Sequence, residues 1–117
     1  MSSAAILDLM DRFVAALNAH DLEGALELIT EDIVFESTSP APDGARYEGK
    51  ATVKAIWAQM LESTPALRFT TEEQFFVPPD RAVVRWRYDW GDGHVRGVDL
   101  MRVREGRISE TLSYVKG

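Results

Sequence analysis

Ile6, Leu9, Met10, Phe13, Val14 and Leu17 recur at intervals of three and four, which places all six on one helical face and turns Asp8, Asp11 and Arg12 outward. The spacing predicts a first helix over 3–18. Asn18-Ala19-His20-Asp21 interrupts it, and Asp21 suits the N-cap of a shorter helix carrying Leu22, Ala25, Leu26 and Ile29. Ile33 to Ser37 reads as a strand, and Ser39-Pro40-Ala41-Pro42-Asp43-Gly44 as a loop, because two prolines interrupt any ladder and the glycine turns the chain. After Gly49 the helical spacing returns in Val53, Ile56, Trp57, Met60 and Leu61, and Pro65 closes this third helix.

From Leu67 the period changes to two, with β-branched and aromatic residues dominating, and four strands are predicted over 67–77, 82–90, 94–104 and 107–116. Asp92-Gly93 and Glu105-Gly106 supply the positive φ that two-residue hairpin turns need. Such turns pair Trp86 with Asp99, Val84 with Met101, Met101 with Glu110 and Asp99 with Leu112. One sheet face then carries Val84, Trp86, Tyr88, Asp99, Met101, Val103, Ile108, Glu110 and Leu112. The opposite face carries Arg85, Arg87, Arg96, Val98, Leu100, Arg102, Arg104 and Thr111. The expected architecture is α+β: three N-terminal helices covering the aromatic face of a curved, largely antiparallel sheet, in a single domain spanning 1–117 without repeat or linker.

Composition narrows the function classes. At 117 residues one core must do all the work, and 45% hydrophobic with 27% charged residues excludes disorder. The balance of 13 basic against 19 acidic residues, a net charge of −6, lacks the footprint that nucleic-acid binding requires. Without cysteine there is no thiolate nucleophile and no Cys-ligated metal. His20 and His94 lie in predicted connections with no further ligands to complete a metal set, so no metal is expected. The start of the chain shows no basic n-region and no long apolar run, so a cytoplasmic location and no membrane partner are the expectation.

Asp99 is the sharpest candidate, since it interrupts a face otherwise filled by apolar side chains. Burial raises the pKa of such a carboxyl and suits it to acid/base work. The structural alternative is an aspartate that accepts hydrogen bonds from the Trp86 indole, a tyrosine hydroxyl or water. Glu110, expected diagonally across the neighbouring strand, would give the paired carboxylates from which an acid and a base are made. Its alternative is a solvated residue near the sheet edge. Phe13, Phe35, Trp57, Met60, Trp86, Tyr88 and Met101 supply an apolar lining for a small-molecule pocket, with Ser37 as a polar group near its mouth. The outer face, with Arg85, Arg87 and Arg102 around Val98 and Leu100, suits a two-fold homodimer interface; an anionic or protein partner is the competing use.

Asp11-Arg12-Phe13-Val14-Ala15-Ala16-Leu17-Asn18-Ala19-His20-Asp21-Leu22-Glu23-Gly24, then Glu31 to Glu36, Gly97-Val98-Asp99-Leu100-Met101-Arg102-Val103 and Gly106-Arg107-Ile108 resemble the nuclear transport factor 2-like superfamily, in its SnoaL-like and ketosteroid isomerase-like branches. The resemblance spans residues 5–116. It implies a cone-shaped, cystatin-like fold around a pocket, a homodimer, a hydrophobic ligand and no cofactor. Phe13 stands where ketosteroid isomerases carry a tyrosine donor, and Ser37 where they carry the aspartate base, so authentic steroid isomerisation is not expected. Asp99 matches their protonated oxyanion-hole aspartate. By resemblance to SnoaL-like cyclases, Asp99 would instead be the acid/base of an isomerase or cyclase acting beside a carbonyl. Limonene-epoxide-hydrolase relatives need an Asp–Arg–Asp set, and by parity Arg96 faces away from Asp99. The losses at 13 and 37 equally motivate a non-catalytic ligand-binding or dimerisation module on the same fold.

Overall fold

The computed structural model describes residues 1–117. Helix α1 (Ser3–Asn18) starts where the Ser2 side chain accepts from the Ala5 N–H, and it buries Ile6, Leu9, Met10, Phe13 and Leu17 as the spacing predicts. Asp21 caps α2 (Leu22–Leu26) by accepting from the Gly24 N–H at 2.9 Å. Helix α2 ends three residues earlier than expected, because Ile29 opens strand β1 (Ile29–Glu36). A three-residue strand β2 (Arg46–Glu48) precedes α3 (Lys50–Ser63), which buries Val53, Trp57 and Leu61. Strands β3 (Arg68–Val77), β4 (Arg81–Asp89), β5 (His94–Arg104) and β6 (Arg107–Val115) follow.

All six strands form one mixed sheet in the order β2-β1-β6-β5-β4-β3, with β1 and β6 parallel and every other pair antiparallel. The helices lie on its concave face, and the core forms between them, with Met10, Ile33, Val84, Met101 and Ile108 nearly inaccessible to solvent. Asn18 fastens α1 to the outermost strand: its amide donates to the Phe69 carbonyl at 2.8 Å and accepts from the Phe69 N–H at 2.7 Å. Both hydrogen bonds of one β3 residue are thereby satisfied at a sheet edge.

The first hairpin departs from the expected register. Gly91 adopts φ 112°, and the Trp90 N–H bonds the Gly93 carbonyl, so a four-residue turn replaces the two-residue one. Trp86 therefore lies opposite Gly97, and Asp99 opposite Val84. A slip of two residues preserves side-chain parity, so the faces survive. The second hairpin turns at Glu105 and Gly106, both with positive φ, as expected. A β-bulge just past it then changes parity: Val103 pairs with Ile108, but Arg102 pairs with Glu110 and Met101 with Thr111.

Candidate active site

The bulge decides what shares the concave face with Asp99. It lets Ile108 and Thr111, three residues apart, both point inward, and so turns Glu110 outward. Glu110 there accepts from Arg81 at 2.7 Å and lies opposite Arg102. The pairing of Asp99 with Glu110 expected from the turns is thus overturned by one inserted residue. Thr111 and Ser113 stand on the concave face in its place, Ser113 directly opposite Asp99.

Between helices and sheet lies a cavity of about 530 Å³. Seven expected residues line it: Phe13 from α1, Phe35 from β1, Ser37 just beyond, Trp57 and Met60 from α3, and Trp86 and Tyr88 from β4, together with Asp99 from β5. Met101 does not; two residues further along β5 it is sealed in the core, which corrects its expected place in the pocket. Buried Phe13, Trp57, Trp86 and Thr111 form the floor, while exposed Ser39, Gln59 and Trp90 mark the open side.

The aromatic residues form two runs. On the helix side Trp57 contacts Phe13 (centroids 5.3 Å apart) and Phe35 (5.7 Å), and Phe35 stacks on Tyr47 at 5.9 Å. On the sheet side Phe69 meets Trp86 edge-on at 6.1 Å and Tyr88 at 4.7 Å, and Tyr88 continues to Trp90 at 5.9 Å. Tyr47, Phe69, Thr111 and Ser113 escaped the sequence reading. Tyr47 sits on a strand too short to show alternation, and Thr111 and Ser113 sit beyond the bulge. Phe69 was findable, since it alternates with solvent-facing Arg68 and Thr70 along β3.

Asp99 is held by the sheet itself. The Trp86 indole Nε1–H donates to its Oδ1 at 2.9 Å, and Ser113 stands directly opposite on β6. Gly97 makes the first contact feasible, because a Cβ there would sit 2.6 Å from the Trp86 ring and 2.2 Å from the Tyr114 carbonyl oxygen. Desolvation dominates the carboxyl's titration and pushes it up to about 6, against the neighbouring Ser113 and Trp86 donor groups, which favour the charged form. The residue is half-buried and lines the open cavity. The arrangement yields a carboxylate able to take up a proton near neutral pH.

Ser37 has a structural task at the open side. Its hydroxyl donates to the Ser39 carbonyl at 2.8 Å and accepts from the Ala45 N–H at 3.1 Å, closing the loop that runs over Gly44. No three His, Cys, Asp or Glu side chains gather as a metal would require. No helix is long and apolar enough to cross a membrane.

Residues 10–111 match the SnoaL-like domain. A solved nuclear transport factor 2-like protein of unknown function from Mesorhizobium loti is 46% identical, with 98% of this chain and 93% of that one covered and a TM-score of 0.84. A SnoaL-like protein of unknown function from Burkholderia thailandensis, 22% identical, aligns over 100% and 99% of the two chains with a TM-score of 0.84. A protein from Kribbella flavida provisionally assigned as a ketosteroid isomerase, 20% identical, aligns over 98% and 80% with a TM-score of 0.82. No curated protein matches the sequence. The α+β fold, with three helices on a six-stranded mixed sheet, is that of the nuclear transport factor 2-like, cystatin-like proteins.

Proposed function

The chain belongs to the SnoaL-like family, and on that premise we propose that it is a small-molecule pocket protein in which Asp99 does acid/base chemistry next to a carbonyl of a hydrophobic substrate. What supports this is the position of one desolvated carboxyl, pushed up to about 6, in an aromatic cavity. At neutral pH such a group is mostly ionised. It takes a proton from carbon beside the carbonyl, leaving an enolate, and becomes the acid that returns the proton at another carbon in an isomerase; in a cyclase the enolate carbon attacks a second carbonyl carbon of the substrate, whose C=O π bond opens to an alkoxide that takes the proton back from Asp99. The Trp86 indole orients the carboxyl. Asp99 is the one catalytic residue of this reading, since Glu110 faces away.

The test is a panel of hydrophobic ketones, steroids and aromatic polyketides, screened by thermal shift and followed by product analysis, on wild type and Asp99→Asn in parallel. The reading expects a ligand that both proteins bind and only wild type converts. A ligand bound and returned unchanged by both would instead support the second reading, a non-catalytic binding module. Two observations favour that alternative: Phe13 offers no donor, and the Ser37 hydroxyl is engaged with its own loop.

We propose that the convex face is a homodimer interface. Arg85, Arg87 and Arg102 surround Val98 and Leu100, and Phe75 and Tyr114 are 46% and 55% exposed, an apolar centre with a charged rim that suits a second copy of this chain. Sedimentation of wild type against Leu100→Glu tests it: a dimer converted to monomer is expected, and a monomeric wild type would overturn it.

A further inference from the structure

The cavity is electrostatically one-sided. Its lining contains no lysine, arginine or histidine, and the titratable groups facing it are Asp99, Tyr47 and Tyr88. Burial and the two neutral donors Trp86 and Ser113 account for the titration of Asp99, with no charged group of the protein acting on it. Elsewhere the chain treats its carboxylates differently: Asp32 pairs with Arg104 and Asp89 with Arg87, and both are held below the ordinary range. An ionised carboxylate left alone in a poorly solvated site costs free energy that an opposite charge recovers. Here the protein supplies none, which leaves the place beside Asp99 open to a cation carried by a ligand.

The walls add a second preference. Eight aromatic rings line the cavity, in the two runs described above, and aromatic faces attract cations most strongly where water is excluded. We propose that this cavity takes ring-bearing organic cations, with the ammonium group paired to Asp99 and the ring lying between the Trp57 and Tyr88 walls. An anion of the same shape meets the carboxylate with no compensating group. A neutral ring gains only the apolar contact. The inference rests on the cavity being a ligand site, the first half of the reading above, and is independent of turnover.

Three probes of one shape separate the possibilities: naphthylmethylammonium, the neutral naphthylmethanol and the anion naphthoate, each titrated by calorimetry between about pH 4.5 and 7.5. The ammonium probe stays protonated throughout, so a change in its affinity reports the protein. It is expected to bind about tenfold or more tighter than the alcohol at the upper end. Below about pH 6 its affinity falls by up to roughly tenfold per pH unit as Asp99 takes up a proton, while the alcohol's does not. Naphthoate does not bind. In Asp99→Asn the ammonium advantage disappears and alcohol binding remains; should that variant fold poorly, the pH series on wild type decides alone. An alcohol that binds as tightly as the ammonium at the upper end, or an ammonium preference surviving in Asp99→Asn, overturns the inference while leaving the proposed carbonyl chemistry standing. Failure of all three probes to bind overturns the inference, while the carbonyl chemistry stands or falls on the ketone, steroid and polyketide panel.

Discussion

The two faces of the sheet treat the same amino acid in opposite ways. On the convex face acidic residues stand beside arginines: Glu110 with Arg81 at 2.7 Å, Glu72 with Arg96 at 2.9 Å and Asp89 with Arg87 at 3.1 Å. Asp89 is accordingly held below its ordinary pKa by the Arg87 guanidinium. On the concave face Asp99 has neutral donors, aromatic walls and no cation, and burial pushes it up to about 6. Solvated ion pairs of the first kind contribute little to stability. A lone desolvated carboxyl opposes folding at neutral pH, and a residue that costs stability inside a cavity is where function is sought.

The largest break in this contrast is Asp99→Asn. Loss of the acid/base group is expected to lower conversion of any substrate found by about 10²–10⁴-fold, read by product analysis. The same variant has a stability signature. Between the ordinary value of 3.8 and about 6 the folded chain holds a proton that the unfolded chain has released, so wild-type stability falls as pH rises through that window. The total is on the order of 3 kcal/mol. Urea denaturation across pH 4 to 7 is expected to show Asp99→Asn gaining on wild type over that range, with the two parallel above it.

Gly97→Ala comes next. Its Cβ would press on the Trp86 ring and the Tyr114 carbonyl, and a loss of about 1–3 kcal/mol is expected by the same denaturation, together with a further rise of the Asp99 pKa as the indole is displaced. Trp86→Phe removes the N–H donor and keeps most of the ring. The bond to a charged acceptor is worth about 1.5–3 kcal/mol, so Asp99 should titrate above wild type while the fold persists. Smallest is Glu110→Gln. Its partner Arg81 is on the convex face, so a change of about 0–1 kcal/mol is expected, with no movement of the Asp99 titration. A shift there would restore the register in which the two carboxylates share a face.

How much of this was legible in the sequence varied with the range of the signal. Helices α1 and α3 were readable because a spacing of three and four is local and their apolar residues follow it. The inward parity of Trp86, Tyr88 and Asp99 was readable too, since the first hairpin slipped by two residues and an even slip leaves every side chain on its face. Glu110 was misplaced because the bulge is required by tertiary packing, with both Ile108 and Thr111 drawn into the interior, and nothing in Arg107-Ile108-Ser109-Glu110 announces it. Met101 shows the other limit. Alternation tells which face a residue takes and not how deep along the strand the cavity ends and the core begins.

Carboxyl-carbon NMR of the protein labelled at aspartate, with Asp99→Asn to assign the resonance, tests the central claim most directly. The account predicts that Asp99 titrates with a midpoint of about 6, well above the ordinary 3.8. A midpoint at or below the ordinary 3.8 would mean a solvated or ion-paired carboxylate, and would contradict both the acid/base role and the unpaired charge on which the cavity's ligand preference depends.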